Sequence, residues 1–222
     1  MTKIIDACNI NIEEIVNVLK FGGVIAIPTD TVYGLACDFF NIDAVSRIYE
    51  IKGRPEDMPL IAMVADVKNI DSVAVNLTPD VKVLAYRFWP GPLTMILDAK
   101  PTIPKIAIAN GTTVGVRIPD HEITLQILDR YSPLATTSAN LSGWSAPDNA
   151  GDVIAHLDGR VDIIIDGGLT NSGIASTILN CTTKPFHILR EGTVKSSNIV
   201  EVLKEERKSF IYDEEQGYTQ ID

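Results

Sequence analysis

Positive charge is scarce in this chain. Nineteen Lys and Arg face 29 Asp and Glu, a formal net charge of −10 over 222 residues. No overall field holds such a protein to nucleic acid, so an anionic ligand has to be met by a local concentration of cations. Long apolar runs are missing too: nothing approaches the roughly 18 apolar residues of a membrane span. The start, MTKIIDACNI, lacks the apolar stretch of a signal peptide, which sets the expectation of a cytoplasmic protein. Cys8, Cys37 and Cys181 are odd in number, far apart and without a CxxC, and read as reduced thiols. His121, His156 and His187 stand alone, with no metal-ligand spacing. GxxxxGK[ST], GxGxxG after a strand, HExxH and GxSxG are all absent, which excludes the usual phosphate loops, zinc proteases and serine hydrolases of those signatures.

What is present fits a sizeable globular core: 45% hydrophobic residues, 22% charged, 15 Gly and 12 Pro. Asn11 to Phe21 reads as a short amphipathic helix with Asn11 as N-cap, acids in its first turn and Gly22-Gly23 at its end. Val24 to Ile27 is an apolar β-branched run suited to a strand buried on both faces, ended by Pro28. Thr29, Asp30, Thr31 and Tyr33 follow past its carboxyl end, where open α/β sheets bind ligands. Asp43 is placed to cap a helix over Ala44 to Ile51, and Thr78-Pro79 to start one running to Phe88. Further helices are expected at His121 to Arg130, Ala150 to Leu157 and Ser196 to Arg207. Strands are expected at Leu60 to Ala65, Leu93 to Leu97, Thr113 to Ile118, Pro133 to Thr136, Val161 to Ile165, Ser176 to Leu179 and Phe186 to Leu189. One mixed α/β domain over 1–207, with an acidic extension over 208–222, is the economical division.

Several polar residues fall at strand and helix ends. Singly, each has a plain explanation: Lys52 and Arg54 as helix-end charges, Ser138 and Asn140 as turn formers, Arg117 as the partner of an acid, and Arg190 as an edge-strand charge. Together they sit in PTDTVYGL, KGRPEDMPL, WPGPLT, TVGVRIP, TTSANLSG, ASTI and ILREG. In order and spacing these segments resemble the YrdC-like family of threonylcarbamoyl-AMP synthases, over about residues 10–203.

The resemblance implies a twisted, open mixed sheet flanked by helices, with a concave ligand-binding face. It implies a nucleotidyltransferase that joins L-threonine, bicarbonate and ATP into threonylcarbamoyl-adenylate and pyrophosphate. The product goes on to a separate tRNA threonylcarbamoyl transferase complex. Lys52 and Arg54 would be the catalytic basic pair on the triphosphate, with Thr113, Ser138, Asn140 and Arg190 completing the ATP site. Arg117 would pair with the threonine carboxylate, helped by Thr31, Thr136 and Ser176. Mg²⁺ would arrive with ATP. Met58 and Ala146 stand where many members have Asn and Ser at the nucleotide site, and Met63 where many have His at the threonine site. The resemblance also carries two other readings: a module that binds tRNA or double-stranded RNA without synthase activity, and a carbamoyl-adenylate step of another pathway.

Overall fold

The computed structural model describes residues 1–205. Its strands are Lys3–Asp6 (β1), Ile25–Ile27 (β2), Gly34–Asp38 (β3), Ile61–Met63 (β4), Ala74–Val75 (β5), Leu93–Ala99 (β6), Thr113–Arg117 (β7), Leu134–Ser138 (β8), Ile163–Asp166 (β9), Thr177–Asn180 (β10) and His187–Arg190 (β11). The α-helices are Ile12–Lys20 (α1), Ile42–Lys52 (α2), Pro79–Phe88 (α3), Glu122–Arg130 (α4) and Ala150–Leu157 (α5), and residues 196–205 are also helical. The strands form one mixed sheet in the order β1-β9-β2-β3-β8-β4-β7-β6-β10-β11, with β5 paired to β6. Among the described residues no helix is long and apolar enough to cross a membrane.

Helix starts follow local capping. Asn11 accepts from Glu13 N–H at the start of α1, and Thr78 accepts from Val81 N–H with Pro79 in the first turn of α3. The second helix departs from expectation. It starts at Ile42 because the Asn41 side chain takes the Ala44 N–H, which leaves Asp43 inside the first turn as a favourable acid, not as the cap. α4 starts at Glu122, with His121 as a cap that makes no side-chain hydrogen bond. The expected closing helix reaches 205 here, and its last residues, with the proposed acidic extension, lie outside the described residues.

The alternation of side chains across the strands divides the molecule. On one face Ala26, Leu35, Ala62, Met95, Val114, Val116, Ala135 and Leu179 meet Val45 and Ile48 of α2, Leu84 of α3 and Val153 of α5 in the large core. On the other face Ile25, Ile27, Ala36, Leu134, Ile163 and Ile165 meet Ile15 and Leu19 of α1 and Ile127 and Leu128 of α4. Each fully buried aliphatic side chain contributes about 1.5–3 kcal/mol, so both layers hold the sheet firmly. α1 and α4 cover only part of this second face. β6, β7 and β10 contribute no residue to this second core, and a cavity opens over them and over β4.

Candidate functional site

A cavity of about 500 Å³ lies on this face. Its floor is built by strand parity: Thr94 and Ile96 of β6, Gly115 and Arg117 of β7, Ile61 and Met63 of β4, Thr136 and Ser138 of β8, Gly34 of β3 and Ile178 of β10. Register puts Ile96, Gly115, Ile61 and Thr136 in one row across four strands. Gly115 sits in the middle of that row without a side chain, so the floor dips there; an added Cβ would lie 3.4 Å from Thr94 Cγ2 and 3.5 Å from Ile61 Cγ1. Loops supply the walls: Thr29 and Thr31 to Tyr33 between β2 and β3, Arg54 with Asp57 to Leu60 after α2, Ala146, and Ala175-Ser176 before β10, with Leu189 and Arg190 of β11 at the rim.

The polar groups are already oriented by one another. Arg117 is 3% exposed. Its Nε donates to the Gly91 carbonyl at 3.0 Å, one Nη to Thr31 Oγ1 at 2.9 Å and the other to Asp30 Oδ1 at 2.5 Å. Burial lowers the Arg117 pKa, Asp30 raises it again, and Arg190 adds a second lowering influence, so two guanidiniums share this end of the cavity. Asp30 also accepts from Asp120 N–H at 3.1 Å.

Proton direction along the threonines follows. Thr29 Oγ1 donates to the Val32 carbonyl at 2.7 Å, so the 2.9 Å contact between the two hydroxyls is a donation by Thr31. With its proton spent and one lone pair taken by Arg117, Thr31 faces the cavity as an acceptor. Opposite, Ser176 shares a 2.8 Å hydrogen bond with Thr94, and Arg190 grips the Ser176 carbonyl through Nε at 3.2 Å and Nη2 at 2.8 Å. Thr136 donates to the Ile61 carbonyl at 3.1 Å. Arg54 donates to the carbonyls of Met58 and Pro59, at 3.2 and 3.1 Å, and burial lowers its pKa. Three guanidiniums, Arg54, Arg117 and Arg190, thus outnumber the two acids beside them, Asp57 on the lining and Asp30 behind it. In a chain of charge −10 this is the local cation excess that an anionic ligand needs.

Of the residues singled out in the sequence, Thr31, Arg54, Met58, Met63, Arg117, Thr136, Ser138, Ala146, Ser176 and Arg190 line the cavity together. Lys52, Thr113 and Asn140 do not line it. Thr113 lies two residues before Gly115 at the start of β7, paired with Asp98. Lys52 and Asn140 are buried behind the wall, where the ammonium of Lys52 donates to the carbonyls of Ser138 and Asn140. Sequence reasoning passed over Thr94, Ile96, Gly115 and Ile178. Their only signal is parity with Arg117 and Thr136, which requires knowing the strand order. Among the described residues no group of three or more His, Cys, Asp or Glu is placed to hold a metal ion.

Comparison with known proteins agrees in sequence and in fold. The family model Sua5_yciO_yrdC, described as telomere recombination, matches residues 17–192. The threonylcarbamoyl-AMP synthase of Bacillus subtilis is 42% identical over 187 residues, which cover 83% of this chain and 54% of that protein. That of Pyrococcus abyssi is 39% identical over 190 residues, covering 85% of this chain and 56% of its own. The chain therefore spans about half the length of these curated relatives. Among solved structures, P. abyssi Sua5 complexed with L-threonine superposes with a TM-score of 0.85 at 36% identity, covering 91% of this chain and 60% of that one. E. coli YciO superposes at 0.78 with 25% identity, covering 88% and 97%.

Proposed function

The chain belongs to the Sua5/YciO/YrdC family, and from that premise we propose that it is an L-threonylcarbamoyladenylate synthase, a nucleotidyltransferase acting on L-threonine, bicarbonate and ATP. The observation that carries the reading is the meeting of Arg54, Arg117 and Arg190 with oriented hydroxyls in one cavity of about 500 Å³. That is a small-molecule site with more than one anion to bind. The threonine amine adds to the carbon of bicarbonate and water leaves, giving an N-carboxylate. A carboxylate oxygen then attacks the α-phosphorus, the bond to the β-phosphate oxygen breaks, and pyrophosphate departs. No enzyme nucleophile is consumed. The chain's contribution is to position the reactants, exclude water and balance the leaving charge.

Arg117 is immobilised by Gly91, Thr31 and Asp30 and has N–H groups left for the threonine carboxylate. Thr31 accepts from the substrate's amine or hydroxyl, and Thr136 and Ser176 complete that end. Met63, 5% exposed beside Arg117 in the β4–β7 register, gives the side-chain end an apolar wall. Arg54, Arg190 and Ser138 face the nucleotide, with Met58 and Ala146 closing the same side by contact alone; Thr113 flanks it on the same face of β7 as Gly115, and Asn140 supports it from behind the lining. Mg²⁺ belongs to the nucleotide substrate, and no step is routed through it. The mixed anhydride product would pass to a separate transferase that modifies tRNA.

The test is pyrophosphate and adenylate formation from labelled ATP by the purified chain, with Mg²⁺. Product should require threonine and bicarbonate together. Pyrophosphate formed equally well without threonine overturns the reading. Absence of turnover with salt-sensitive retention of duplex RNA would instead favour the binding-module reading.

A further inference from the structure

Lys52 and Arg54, separated by Gly53 alone, serve opposite sides of a wall. Gly53 ends α2 in the left-handed region at φ 58°, a turn that costs glycine little. Arg54 therefore emerges into the cavity, whereas Lys52, 3% exposed, points back beneath the loop that leaves β8. Its ammonium donates to the carbonyls of Ser138 and Asn140, the latter at 2.5 Å, and its own carbonyl accepts from Ser142 N–H at 2.8 Å. The same loop is tied internally by Asn140 Nδ2 to the carbonyls of Leu141 and Trp144, both at 2.8 Å. It is tied across to the β2–β3 loop by Ala139 N–H to the Tyr33 carbonyl at 2.8 Å and Tyr33 N–H to the Pro147 carbonyl at 2.9 Å. This segment presents Ser138 and Ala146 to the cavity.

Two inward-facing carbonyls without a donor would be strongly unfavourable, and a lysine head can serve both. Burial pushes the Lys52 pKa down to about 7. A neutral amine still has two N–H groups for two carbonyls, so this arrangement survives loss of the charge, whereas attraction to a triphosphate would not.

We propose that Lys52 is a positioning residue: it clamps the 138–147 segment to the end of α2 and so sets the nucleotide wall of the cavity, without touching the triphosphate. The proposal rests on the synthase reading only for the identity of the nucleotide. Two measurements test it, and neither needs turnover. In the wild-type chain without nucleotide, reductive methylation read peptide by peptide should leave Lys52 unmodified while the exposed Lys68 is labelled, and ATP should change nothing at Lys52. In Lys52→Met, amide exchange within 139–146 should accelerate at least about tenfold, the loss expected when two buried carbonyls are left without a donor, with β7 amides unchanged. Arg54→Ala should weaken ATP binding without altering that exchange. Methylation of Lys52 at the rate of Lys68 with protection by ATP, or unaltered exchange in a folded Lys52→Met, overturns the proposal. If that variant does not fold, the labelling of the wild type decides alone.

Discussion

At the scale of the residue, Asp30 and Arg117 tie the fold and the proposed binding to the same atoms. Their ion pair, at 2.5 Å with side chains 8% and 4% exposed, lies at the back of the cavity. Removing one member of such a pair strands the other, which typically costs about 3–5 kcal/mol. Asp30→Asn should therefore lower the melting temperature markedly in differential scanning fluorimetry while leaving Arg117 present. Arg117→Met should carry a similar stability cost and in addition weaken threonine binding by roughly ten- to a hundredfold, as loss of a charge-assisted bond does; calorimetric titration separates the two effects. The sequence allowed Arg117 either an acid or a substrate, and the structure gives it Asp30 as partner and the cavity as outlook. Lys52 supplies a pH test. Burial and the nearby Arg54 hold its folded pKa near 7, below that of the unfolded chain. Between pH 7 and the ordinary lysine range the unfolded chain then binds more protons, so stability rises with pH there. Denaturant midpoints of wild type minus Lys52→Met should increase from pH 7 to 10; a flat difference would contradict the buried setting.

At the scale of the element, the cavity depends on strands that withhold side chains. Gly115→Val should fill the dip between Thr94 and Ile61, abolishing threonine binding while leaving the thermal midpoint within a few degrees of wild type, because the backbone there needs no positive φ. A Cβ on Gly192 would lie 2.0 Å from the Ala175 carbonyl oxygen, so Gly192→Ala must displace the Ala175-Ser176 wall; both stability and ligand affinity should fall together. Much of this level was legible beforehand. α5 spans Ala150–Leu157 as expected, and α3 starts where Thr78 and Pro79 placed it. β1, β3 and β5 escaped for physical reasons. β5 is two residues long, β1 is a short edge strand, and β3, GLACD, begins with glycine and contains no β-branched residue, so neighbours β2 and β8 decide its conformation. The site was legible where side chains declare chemistry, as in Arg117 and Ser176. It was not legible where lining depends on which strands become neighbours, as for Gly115 and Thr94.

At the scale of the whole molecule, a net charge of −10 coexists with three guanidiniums on one cavity. At physiological ionic strength charges further apart than about 8 Å are largely screened, so a small anion in the cavity would respond to the cavity and long nucleic acid to the whole surface. Duplex RNA should accordingly not be retained in a filter-binding assay at 0.15 M salt, an ionic strength at which screening extends over about that same distance; retention there would revive the RNA-binding reading. The alternation along β3, β4, β6, β7, β8 and β10 carries a further consequence for how the protein can change. Neighbouring residues on these strands answer to different demands, one to the large core and the next to the cavity or the second core. A saturation scan of Val114 to Arg117 should therefore separate into two interleaved phenotypes: loss of the folded protein at 114 and 116, and altered ligand recognition in a folded protein at 115. Arg117, which belongs to both, should show both. An inserted residue in such a strand would exchange the two roles downstream of it, so the binding surface can be altered by substitution but not by shifting the frame of the sheet.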